Sequence, residues 1–271
     1  MEEARVLARV ARDRLKDEMN SVEVQVLFLS LFSSGDRLYV MEVLRLIHDI
    51  AILDLGDPTA SPWMTIFCGD DHLHFEPEGE TETEILRPRW CDEGGEDCLF
   101  IHVPKHATEA KLQRRPCMGV EGTRTGAISY LYENLIICSY MFGIEHQTAR
   151  APLEYSMALD RSHGGMNFVK FPLDAFKPLS ATMIHHLTHL DIGDNYRCAD
   201  FPVPDHGLAY DTATCQLLNR FNSEHARRNA ENYARLAVGL YLRDYDWGTG
   251  VGMPLTKPAG GNGLAVGIPV S

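Results

Sequence analysis

The sequence predicts a single α+β domain, mainly helical in its C-terminal half, with a small mixed sheet from the middle of the chain lying beside one short helix. Three observations carry this. Apolar side chains recur at helical spacing over residues 4–19, 38–53 and 223–245. The stretches 63–75, 99–103 and 127–142 are instead rich in β-branched and aromatic residues. Between the sheet-forming middle and the last helix stands Ala181-Thr182-Met183-Ile184-His185-His186-Leu187-Thr188-His189-Leu190, around which the functional reading turns.

At the N-terminus, Val6, Leu7, Val10, Leu15 and Met19 sit among alternating charges, the pattern of an amphipathic surface helix. Leu38, Met41, Leu44, Ile47 and Ile50 repeat it, and Gly56-Asp57-Pro58 ends the unit. Between the two, Val22, Val24, Val26 and Phe28 alternate as a strand does, with a buried helix as the alternative for so apolar a run. Leu135-Ile136-Ile137-Cys138 reads as a buried strand. The acidic residues of 76–98 lack the ligand order of a calcium loop and read as a solvated loop. His72 and His74 share one side of a predicted strand, a possible metal pair that reads more simply as a polar edge. The domain is expected over 1–247, its site-bearing half at about 125–245, followed by a glycine-rich tail, 248–271.

Composition narrows the partners. Of 271 residues, 38 are Asp or Glu against 25 Lys or Arg, a net charge of −13, which argues against a nucleic-acid partner. No apolar run approaches the roughly 18 residues needed to span a bilayer, so no membrane partner is expected. The charged start Met1-Glu2-Glu3-Ala4-Arg5 has no apolar leader core, so the protein is expected to be intracellular, or secreted if a leader has been removed. Seven cysteines without any C-x-x-C pair exclude zinc ribbons and thioredoxin-like motifs and leave the redox state open. Phosphate-loop and dinucleotide glycine patterns are absent from any strand-to-helix setting.

In the central stretch, His185 and His189 lie one helical turn apart on one face, close enough for both imidazoles to hold a single metal ion, with His186 beside them. The spacing is that of the H-E-x-x-H helix, in which two histidines bind zinc and the glutamate takes a proton from the attacking water. Here histidine stands in the glutamate position. Ser180 is the expected helix cap and the Asp191–Asp194 stretch its end. His102, His106, His146, His163 and His225 have no partner at ligand spacing.

The helix 183–190, the later Ala209-Tyr210 followed by Cys215, and Asn229-Ala230-Glu231-Asn232-Tyr233-Ala234 together resemble the aspzincin metalloendopeptidases, the deuterolysin and peptidyl-lysine endopeptidase group. Ile66-Phe67-Cys68-Gly69-Asp70 and Ile136-Ile137-Cys138 are similar to segments of secreted fungal members. The resemblance covers about residues 125–245. It implies a zincin-like fold, one divalent transition metal, zinc before others, held by His185 and His189, and a tyrosine, matched by Tyr210, that assists the transition state. The family's third ligand is an aspartate in a G-T-x-D-x-x-Y-G segment, which this chain does not match: Gly207 stands three residues before Tyr210, and Asp211 follows it. Asp205 is the first candidate for that ligand, His206 the second, and Asp200 lies further back. Cys198 and Cys215 bracket this loop, either bridged or as two buried thiols.

The expected function is a metal-dependent enzyme on an aspzincin-like scaffold, turned from peptide hydrolysis to Lewis-acid and acid–base chemistry on a small molecule of specialised metabolism. In it His186 moves a proton and Tyr210 donates to developing negative charge. The alternatives are a zinc metalloendopeptidase acting on peptides with His186 as base, and a non-catalytic binding protein on a decayed peptidase fold.

Overall fold

A computed structural model describes residues 2–56, 65–67, 71, 73–76, 79–80, 85–86, 89–91, 98–100, 116–118, 127–130, 134–138, 172–176, 178–190 and 196–255. Among the described residues seven α-helices and several small sheets make an α+β fold, as the sequence predicts. The N-terminal helices α1 (Glu2–Asp17) and α3 (Arg37–Gly56) form where the apolar stripes place them and pack on each other. Ala4, Leu7, Ala8, Ala11 and Leu15 of the first and Val40, Val43, Leu44 and Ile47 of the second are fully buried. Arg14 is buried with them, its guanidinium donating to the Glu18 carboxylate at 2.6 Å and to the Leu240 carbonyl at 2.7 Å, so that the buried charge is paired as well as hydrogen-bonded.

The segment from Val22 is a helix, α2 (Val22–Leu31), and not a strand. Its inward face is Val24, Leu27, Phe28 and Leu31, an i, i+3, i+4, i+7 set. Val22, Val26 and Leu29 are apolar but exposed on the outer face, which makes the alternation of valines coincidental.

In the middle of the chain, β1 (Thr65–Phe67), β7 (Ala127–Tyr130) and β8 (Asn134–Ile137) form a mixed sheet in the order β1-β8-β7, parallel between β1 and β8 and antiparallel between β8 and β7. A second sheet joins β2 (His74–Glu76), β5 (Arg89–Cys91) and β6 (Cys98–Phe100), and β3 (Gly79–Glu80) pairs with β4 (Ile85–Leu86). Cys117 and Cys138 are joined by a disulfide, and Cys91 is also disulfide-bonded. Leu73, Trp90, Cys117, Ile136 and Cys138 make a small second core here.

The C-terminal half supplies α4 (Leu179–Leu187), β9 (Pro202–Val203), β10 (Gly207–Leu208), α5 (Thr212–Phe221), α6 (Ser223–Arg227), α7 (Ala230–Tyr241), β11 (Tyr245–Asp246) and β12 (Met253–Pro254). The single helix expected over 223–245 is thus two, broken at Arg228 and Asn229. The break has a purpose in the packing: the Ala199 N–H donates to the Arg228 carbonyl at 2.8 Å, and the Ala230 N–H donates to the Ala199 carbonyl at 3.1 Å. Asn229 is fully buried there, and its side-chain oxygen accepts from the Phe201 N–H at 3.1 Å. Residues 199–201 are therefore fastened on both sides to the helix break. Helix α4 packs against α7, and β7 lies against α4, so the sheet stands beside the histidine helix.

Among the described residues no helix is long and apolar enough to cross a membrane. Of the predicted tail, β12 pairs with β11 and the rest after 255 lies outside the described residues.

Candidate metal centre

Helix α4 starts after Pro178, whose lack of an N–H costs nothing at that position, and Ser180 does not cap it: its hydroxyl is buried without a hydrogen-bond partner. The helix ends at Leu187, ahead of the expected stop at 191–194, which lies outside the described residues. One turn of spacing brings His185 and His189 together as predicted, their ring centroids 4.8 Å apart and their Nε2 atoms 3.1 Å apart.

The other nitrogen of each ring is occupied. His185 Nδ1 is 2.9 Å from Oε2 of Glu231, on α7, and His189 Nδ1 is 3.2 Å from the carbonyl oxygen of Cys198. Both partners only accept, so each Nδ1 carries the proton and donates, which leaves a lone pair on each Nε2. Asp200 completes the convergence. Its Oδ1 is 3.5 Å from His185 Nε2 and its Oδ2 is 3.5 Å from His189 Nε2. The Tyr210 hydroxyl donates to Asp200 Oδ2 at 2.8 Å, whereas Oδ1 is buried without a hydrogen-bond partner.

Two imidazole lone pairs and a carboxylate thus face one another with no donor between them, an arrangement that calls for a cation, either a proton or a metal ion. Burial, followed by the proximity of His185, pushes His189 below the usual imidazole value, which works against the proton. The spacing suits a metal: bonds of about 2.0–2.1 Å at tetrahedral angles hold donor atoms roughly 3.3–3.4 Å apart. The separations of 3.1, 3.5 and 3.5 Å bracket that value.

His186 joins the same cluster: the three histidines offer ring nitrogens within 4.8 Å of one another, and among the described residues they form a group able to hold a metal ion. Its ring lies 4.8 Å from that of His185 and 5.9 Å from that of His189. Its Nδ1 is 3.5 Å from the Ser129 hydroxyl on β7, so it faces the sheet side of the cluster. Tyr210 also stands here, its ring 5.8 Å from that of His185. Burial, then the charge of Asp200, raises its phenol well above the ordinary value and keeps it protonated.

Asp205 and His206 are placed differently. Both are exposed in the turn between the antiparallel strands β9 and β10, where Asp205 takes φ of 64° and the His206 N–H donates to the Val203 carbonyl at 3.1 Å. The carboxylate that meets the two histidines is Asp200, delivered by the segment fastened to the helix break. Cys198 and Cys215 are buried free thiols, not a bridge. His225 stacks on Phe201 at 4.3 Å between centroids. His72, His102, His106, His146 and His163 lie outside the described residues, and so do Cys68 and the segment 69–70.

Two residues behind the cluster escaped the sequence reading. Glu231 and Arg235, one turn apart on α7, are 1% and 4% exposed and pair at 2.5 Å. The signal for them was a charged i, i+4 pair inside an otherwise apolar helix. No protein-family model matches the chain, and no curated protein matches it significantly.

Proposed function

We propose that this chain is a metal-dependent enzyme in which His185, His189 and Asp200 hold one divalent transition metal, with zinc as the first candidate. The observation that carries the reading is the convergence of the Nε2 atoms of His185 and His189 with the Asp200 carboxylate, one of whose oxygens is buried without a hydrogen-bond partner, at tetrahedral spacing. Two neutral imidazoles and one carboxylate leave a fourth position for water or substrate, which is the pattern of catalytic rather than structural zinc. A metal held there supplies Lewis-acid polarisation of a substrate oxygen. His186 is near enough to take or give a proton at that fourth position. Tyr210, protonated, turns from Asp200 to donate to negative charge developing on the substrate.

The scaffold is best read as aspzincin-like, with the metal helix beside a small sheet and a tyrosine hydrogen-bonded to the ligand aspartate. Replacement of the helix glutamate by His186 favours chemistry other than ordinary peptide hydrolysis, with a small molecule as substrate. One observation favours the second reading, a peptidase: among the described residues β7 is an edge strand, and its Ser129 stands beside His186, so an extended peptide could pair there. The Cys117–Cys138 disulfide supports an oxidising compartment over the intracellular one expected from the N-terminus.

Metal analysis by inductively coupled plasma mass spectrometry tests the reading. Near one equivalent in the wild type and none in a His185→Ala, His189→Ala double variant is expected. A folded wild type that neither carries nor takes up a transition metal refutes it. Chelator-sensitive cleavage of unrelated peptides, lost in His186→Ala, decides for the peptidase.

A further inference from the structure

Behind the cluster runs a buried ionic chain that the metal ligands alone do not explain. Glu231 Oε2 accepts from His185 Nδ1 at 2.9 Å, and Glu231 Oε1 pairs with the Arg235 guanidinium at 2.5 Å. Arg235 then reaches two further groups. One nitrogen lies 3.0 Å from Asp174 Oδ1, and another donates to the main-chain carbonyl of Tyr210 at 3.0 Å. Asp174 is itself fixed, its Oδ1 accepting from the Thr212 N–H at 2.8 Å and the Thr212 hydroxyl at 2.9 Å.

Stability gives little reason for such a chain. Removing a carboxylate and a guanidinium from water costs several kcal/mol per ion, and apolar groups of the same volume serve a helix interface as well or better. What the pair provides is direction. A carboxylate at Nδ1 holds His185 in one tautomer and one ring orientation, with the lone pair of Nε2 aimed at His189 and Asp200. The same guanidinium grips the backbone of Tyr210, whose hydroxyl meets the opposite side of the cluster.

We propose that Glu231, held by Arg235, is a positioning residue for the metal centre: it fixes the Nδ1–H tautomer and the orientation of His185, and through Arg235 ties that ligand to the Tyr210 backbone. The inference rests on the metal-site reading above. Glu231 does not touch substrate or metal; it acts through His185.

The test uses the full-length metal-free protein titrated with Co2+, with affinity measured by chelator competition and ligand geometry by visible d–d absorption. Glu231→Gln keeps the shape and removes the charge. It is expected to weaken Co2+ binding about 10- to 100-fold and to alter the d–d bands, while the circular dichroism of the metal-free protein keeps the wild-type shape and its melting temperature falls, because the buried Arg235 loses its closest anionic partner. Equal affinity and identical bands in Glu231→Gln overturn the proposal while leaving the metal site standing. A wild type that takes up no Co2+ fails the metal-site reading instead. If Glu231→Gln does not fold, long-range 1H–15N NMR of the metal-free wild type decides: a proton on Nδ1 of His185 is expected, and a proton on Nε2 overturns the proposal.

Discussion

Exchanging the carboxylate of Asp200 for an amide separates the two candidate ligands of the loop and predicts opposite signs for the metal-free and metal-loaded protein. Without metal, Asp200 sits 3.5 Å from each Nε2 lone pair, with Oδ1 unsatisfied. In Asp200→Asn the new amide N–H can donate to one of those nitrogens, a hydrogen bond worth about 1 kcal/mol, so the metal-free variant is as stable as the wild type or slightly more so. With metal the effect reverses. Loss of the only anionic ligand raises Kd by at least about 100-fold, since even partners behind the ligands are worth 10- to 100-fold. At a metal concentration of about 100 times the wild-type Kd, binding stabilises the wild type by about 2.7 kcal/mol and the variant by about 0.4 kcal/mol. The difference of about 2.3 kcal/mol, spread over the unfolding entropy of 271 residues at about 2.1 cal/mol/K each, lowers the metal-loaded Tm by about 4 °C. Scanning calorimetry with and without Zn2+ reads both signs. Asp205→Asn, altered in the exposed turn, should shift neither. A metal-dependent Tm that survives in Asp200→Asn and vanishes in Asp205→Asn would refute the geometric argument.

Two further outcomes follow from the surroundings of the cluster. His186→Ala should retain about one equivalent of metal by mass spectrometry while losing roughly two to four orders of magnitude in turnover, the contribution of a proton-transfer group; a variant that loses the metal makes His186 a ligand instead. Stability should fall in alkali for a reason that can be located. Burial pushes the Cys198 thiol from 9.0 up to about 12 and raises Cys215 well above its ordinary value. The unfolded chain therefore releases these protons first, so stability is intact below about pH 9 and falls as pH rises towards the folded values, by about 1.4 kcal/mol per pH unit for each thiol. Urea unfolding at about pH 8 and about pH 10.5 should show a loss smaller by about 4 kcal/mol in Cys198→Ala, Cys215→Ala than in the wild type; equal losses would mean the thiols are not the cause.

What could be read from the sequence was whatever depends on neighbours three or four residues away. The helices α1 and α3 and the pairing of His185 with His189 follow from helical geometry, and Leu7, Leu15, Leu44 and Ile47 are buried as expected, although Leu38 is exposed and the inward face of α3 runs through Val40 and Val43 instead. The same rule fails at α2, where apolar residues on the outer face, Val22, Val26 and Leu29, add a second period to the first. It fails more instructively at the third ligand. A search back from Tyr210 favours Asp205, but that residue has a positive φ at a hairpin tip, and the side chain that meets the histidines lies five residues earlier. Asp200 is brought in by pairing of Ala199 with Arg228 and Ala230, across a break in a run that reads as one continuous helix. That break is encoded by Asn229, whose buried amide also donates to Asn232 at 2.9 Å and to the Ala209 carbonyl at 3.2 Å. One buried asparagine thus interrupts the helix, holds the backbone on both sides of the 200–209 loop and sets where the carboxylate arrives. Glu231, two residues on, contacts His185 across 46 residues of sequence, a distance at which no local period operates. The donors that converge on the cluster are consequently legible where one helix carries them and hidden where a helix break does.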